Sequence, residues 1–87
     1  MNNDLKNELL IGEMYQRVME RGELLNVDDM RFLEDRLDEY SEEMMEYLES
    51  GKKPTEARAR HAHNDIQMIV TMMEKCIVLV LEEEEDE

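Results

Sequence analysis

Two rows of apolar residues, spaced alternately three and four apart, constrain this chain more than any other feature. Met30, Leu33, Leu37, Tyr40, Met44 and Tyr47 form the first, and Ala59, Ala62, Ile66, Ile69, Met73, Cys76 and Val80 the second. A period near 3.5 residues places each row along one face of an α-helix, and such a face needs another helix to cover it. The rows are similar in length and a short Gly- and Pro-containing segment separates them, so they read as a long antiparallel helical hairpin. With three glycines and one proline in 87 residues, and Glu, Leu, Met and Arg abundant, the chain has few helix breakers and many helix formers. The expected fold is all-α.

A further helix is expected ahead of the hairpin, from about Asp4 to Arg21, with Leu10, Ile11, Met14, Tyr15, Val18 and Met19 on one side and Gly22 ending it. Asn26 suits the N-cap of the second helix, which then runs to about Ser50-Gly51, and Pro54 or Thr55 begins the third. Residues 1–81 form one helical domain in this reading, and 82–87 an acidic tail that is solvated and mobile. Reading Ile77 to Leu81 as a strand is weaker, because no second strand offers to pair with it.

The third helix is apolar beyond its row, with Met68, Met72 and Leu79 on one flank and Val70, Ile77 and Leu81 on the other. So wide an arc needs more than one neighbour. A helix of ~28 residues spans ~42 Å and the first helix only ~27 Å, so the Cys76–Leu81 stretch overhangs a monomeric bundle. A homodimeric helical bundle is therefore expected. A chain this short builds a thin core by itself, which points the same way.

Charge is as segregated as hydropathy. The formal net charge is −14, and residues 28 to 49 carry ten carboxylates against Arg31 and Arg36. Helical spacing puts Asp28, Asp35, Asp38, Glu39, Glu42, Glu46 and Glu49 opposite the apolar row, as a stripe of ~32 Å. That length approximates the track of phosphates along about one duplex turn. The stripe predicts a basic protein surface as partner, such as the groove of a nucleic-acid-processing enzyme, and disfavours direct binding of nucleic acid or an anionic membrane. Small viral inhibitors of restriction, repair and CRISPR enzymes often act as acidic decoys. The chain is similar to them in size, acidity and helical content, though it shares no motif with them.

The remaining features are plainer. Lys52, Lys53, Arg58 and Arg60 are expected to pair with carboxylates of the second helix or of a second subunit. His61 and His63 point ~200° apart on a helix, so they cannot share an ion within one chain, and both read as solvated. No metal or other cofactor is expected. Phe32, Met45, Met68 and Met72 lie beside the apolar rows as a candidate apolar partner surface, and Cys76 reads as a small buried hydrophobe. There is no glycine-rich phosphate loop and there are only two serines, so catalysis is not expected. A lone cysteine and the lack of a signal-like or membrane-spanning segment suggest a cytoplasmic protein. The leading expectation is a nucleic-acid-mimicking inhibitor or regulator. The alternatives are a helical adaptor, scaffold or assembly protein acting through its apolar seams, and an antitoxin or anti-sigma-type regulator.

Overall fold

The computed structural model describes residues 3–85, and among these it contains three helices and no strand: α1 (Asn3–Arg21), α2 (Val27–Ser50) and α3 (Glu56–Glu85). Each boundary has a local cause. Gly22 adopts φ 68° and its N–H bonds the Val18 carbonyl at 3.1 Å, closing α1 in the left-handed conformation that a Cβ would disfavour. Asn26 caps α2 reciprocally with Asp29: the Asp29 N–H donates to Asn26 Oδ1 at 2.8 Å, and the Asn26 N–H donates to Asp29 Oδ2 at 3.4 Å. Gly51, at φ 75°, ends α2 with a 2.8 Å bond to the Tyr47 carbonyl. Thr55 is the cap of α3, its hydroxyl accepting from the Arg58 N–H and its carbonyl from the Ala59 N–H.

α1 and α3 share the largest interface, and they run parallel. Asp4 meets Arg58, Glu8 meets His61, and Gly22 lies opposite Leu79. α2 runs the other way, with Asp29 beside Arg17 and Tyr40 beside Asp65. The core is the strip where the three meet: Ile11, Met14 and Val18 from α1, Leu33 from α2, and Ile69 and Met72 from α3. Tyr15, Met19, Phe32, Met68 and Cys76 pack around it, partly buried.

The two sequence rows are covered unevenly. Leu33, Tyr40 and Ile69 are buried, whereas Met30, Met44, Ile66 and Val80 are exposed. α1 takes the place a simple two-helix seam would give to α2, because it packs on the α3 flank that carries Met68, Met72 and Leu79. The expectation that Met72 belongs to a partner surface is thereby corrected: its side chain is fully buried.

α3 crosses the Leu81–Glu82 boundary and continues four residues into the acidic run. Glutamate is a good helix former, so propagation from the apolar turns upstream outweighs repulsion over these positions. Asp86 and Glu87 lie outside the described residues. At 30 residues α3 is ~45 Å long, consistent with a longest molecular dimension of 52 Å, and beyond Leu79 it extends past the end of α1 with Val80 and Leu81 exposed. No helix among the described residues is long and apolar enough to cross a membrane.

Burial separates the methionines by energy. Met72→Ala is expected to cost about 2–5 kcal/mol through lost contacts and a residual cavity. Met45→Ala, at a half-exposed position, should stay within about 0.5 kcal/mol. Urea denaturation of the two variants checks the difference.

Candidate functional site

The outer face of α2 is where the expected carboxylate stripe falls. Asp28, Asp35, Asp38, Glu42, Glu46 and Glu49 are all exposed, with Glu34 beside them. Arg31 is exposed on the same face, and Lys52 Nζ lies 3.8 Å from Glu46 Oε1, both side chains of that pair being largely in solvent. Such a pair contributes little. The stripe is thus a rigid, one-sided array of negative charge borne by a helix with sound caps at both ends.

Glu39 departs from that stripe. It leans toward α1 and α3, where it meets Arg36 at 2.7 Å and Arg58 at 3.2 Å. Its heptad position borders the buried side of α2, and the two guanidiniums draw it inward. Glu43 does the same, holding Arg58 through contacts of 2.9–3.1 Å. The expectation that the basic patch pairs with carboxylates of α2 is met most fully by Arg58. Arg60 instead pairs along its own helix with Glu56.

Arg58 anchors an inner polar cluster that the sequence reading did not anticipate. Its guanidinium is mostly buried, bonds Asp4 of α1 and Glu39 and Glu43 of α2, and lies over the Tyr40 ring at 5.0 Å. Burial alone works against its charge, but the bonds to Glu43 and Asp4 outweigh it, so its pKa is raised. Next to it Asp65 is fully buried and accepts a 2.6 Å hydrogen bond from the Tyr40 hydroxyl. Burial pushes the Asp65 carboxyl up from the ordinary range, opposed by the Tyr40 bond and by His61. Burial, and then the bond to Asp65, likewise raises the Tyr40 phenol.

His61 stands one helical turn before Asp65. Its Nε2 is 3.0 Å from Asp65 Oδ2 and its Nδ1 is 3.4 Å from Glu8 Oε2 on α1. The ring is only 9% exposed, so the expectation of two solvated histidines holds for His63 and fails for His61. The reason is the packing of α1, which covers the face of α3 that includes residues 58, 61, 65 and 72.

The proposed apolar surface also divides. Phe32 and Met68 are half-buried against the core, Met72 lies within it, and only Met45 stays on the surface. A different apolar stripe is exposed, made of Ile66, Val70, Ile77, Val80 and Leu81 on α3 with Met44 and Leu48 on α2. Beside the turn that joins the two helices, Met44, Tyr47, Ala59, Ala62 and Ile66 line an open groove of about 470 Å³. Comparison with protein families, with curated proteins and with solved structures gave no match to this chain.

Two stability tests follow from the inner cluster. Tyr40→Phe is expected to cost about 1–3 kcal/mol, since it leaves a buried carboxyl without its donor. Because the folded pKa of Asp65 lies above its unfolded value, the fold favours the protonated acid. Its contribution is full below the ordinary carboxylate pKa of about 4 and is lost as pH rises through the folded value. Denaturation curves from about pH 4 upward should therefore show wild type losing stability relative to Asp65→Asn.

Proposed function

We propose that the chain is a non-enzymatic, acidic binding protein that occludes a basic groove of a nucleic-acid-binding protein through the outer face of α2. The observation that carries this reading is the row Asp28, Asp35, Asp38, Glu42, Glu46 and Glu49, all exposed along ~32 Å of one helix and offset by Arg31 on the same face and the loosely held Lys52. Like charges at this spacing cost helix stability, and a surface shaped for solubility alone normally mixes its signs. The mechanism is steric and electrostatic. The stripe takes the positions that phosphates would occupy, association is fast and salt-sensitive, and nucleic acid is excluded.

The exposed stripe on α3 supports a second reading, in which the chain is an assembly protein. Here α2 and α3 act as an antiparallel hairpin whose open seam a second copy closes. An antiparallel pairing of two α3 helices sets the Lys52, Lys53 and Arg60 end of one copy against the Glu82 and Glu83 end of the other, so the charges complement as the apolar rows meet. The two readings are compatible, since the α2 carboxylates face away from the seam.

Capture from nuclease-treated lysate, eluted by a salt step from about 50 to about 500 mM, shortens the Debye length about threefold and should release a nucleic-acid-binding protein. Neutralising Asp38, Glu42, Glu46 and Glu49 together is expected to weaken that binding by about tenfold or more and to flatten its salt dependence. Unchanged affinity in this variant would refute the decoy reading. For the second reading, light scattering should report a dimer for the wild type and a monomer for Val70→Glu with Ile77→Glu.

A further inference from the structure

We propose that Glu8, His61 and Asp65 form a binding site for one divalent first-row transition-metal ion, which clips α1 to α3. One donor atom from each residue lies within 4.8 Å of the other two. Glu8 comes from α1, and the other two sit at i and i+4 on α3, so they share a face. An ion bound at about 2.0–2.2 Å needs donors about 3–3.5 Å apart. Glu8 is the side chain free to close that gap, because it is 39% exposed and lines an open hollow of about 390 Å³ with Tyr15, Asn64 and Gln67. The same hollow gives the ion a path from solvent.

The inner side of the site shows unspent bonding capacity. Asp65 Oδ1 is buried without a hydrogen-bond partner, and the buried His61 Nε2, 3.0 Å from Asp65 Oδ2, is not aligned to make a hydrogen bond, although burying an unpaired polar atom is costly. Asp65 is fully enclosed. Charge points the same way, since Asp4, Glu8, Glu39, Glu43 and Asp65 gather here around Arg58 and Arg36, leaving negative charge in excess. Arg58 occupies Asp4, Glu39 and Glu43, so the deficit falls on Glu8 and Asp65, on either side of the imidazole. Tyr40 supplies the supporting layer by donating to Asp65 Oδ2 and placing its ring edge-on to His61 with centroids 6.2 Å apart, which fixes both donors. One imidazole with two carboxylates suits Zn²⁺, Mn²⁺ or Fe²⁺, whereas Mg²⁺ and Ca²⁺ favour oxygen donors alone.

The experiment is calorimetric titration of the full chain, freed of metal by a chelator, with Zn²⁺ alone, followed by Co²⁺ to read its visible absorption and the paramagnetic shift of the His61 ring protons. One saturable equivalent is expected, weakened at least tenfold in Glu8→Gln, whose side chain is half-exposed and leaves the core intact. Glu42→Gln with Glu46→Gln, on the outer face, should bind as wild type does. His61→Ala should abolish the Co²⁺ signature. Equal binding by wild type and Glu8→Gln would assign the ion to surface carboxylates and overturn the proposal. So would the absence of saturable binding.

Discussion

The Arg58 guanidinium binds one carboxylate of α1 and two of α2 from the first turns of α3. A cation withdrawn this far from water is tolerable only because it is surrounded, and removing it would leave three anions facing one another. The geometry of this end of the bundle follows from that requirement. Asp4 must reach over from α1, Glu39 and Glu43 must turn in from α2, and the Tyr40 ring must lie beneath the guanidinium. Tyr40 in turn presents its hydroxyl to Asp65, so the surface ion pairs connect to the buried polar centre through one aromatic ring.

This arrangement divides the carboxylates of α2 into two populations. Glu39 and Glu43 neutralise Arg58 and stabilise the fold. Those at 28, 35, 38, 42, 46 and 49 have no comparable partner and face solvent. The helix is thus held by one edge and charged along the other. An acidic row on a floppy segment would lose conformational entropy on being ordered, whereas a row on an anchored helix has already lost it on folding.

Much of this was legible in the chain itself. Asn26, Gly22, Gly51 and Thr55 act locally, through backbone conformation and side-chain caps, and their effects appear at the expected residues. The carboxylate stripe follows from helical period alone. The inner cluster was not seen, because it depends on which helix covers which face. Asp4, Glu8, Ile11, Tyr15 and Val18 step by 4, 3, 4 and 3, and Asp65, Ile69, Met72 and Cys76 by 4, 3 and 4. Both rows begin polar and become apolar, which is the signature that was available. It gains meaning only once α1 and α3 are known to lie parallel, so that the two polar beginnings coincide. The expectation for Met72 fails for the same reason, since the second neighbour that its flank needs is α1 and not a partner.

The parallel pairing of α1 and α3 also sets the longest loop that the fold must close. The bond between α1 and α2 joins residues 12 apart in sequence and those between α2 and α3 residues 15, 19 and 25 apart, whereas the bond from Arg58 to Asp4 spans 54. Loop-closure entropy grows with the length closed, so the nearer contacts form at lower cost. The pairing of α1 with α3 is therefore the costliest closure, and it becomes shorter once α2 has packed against either of them. Run in reverse, separation of α1 from α3 would uncover Met72 and Asp65 together.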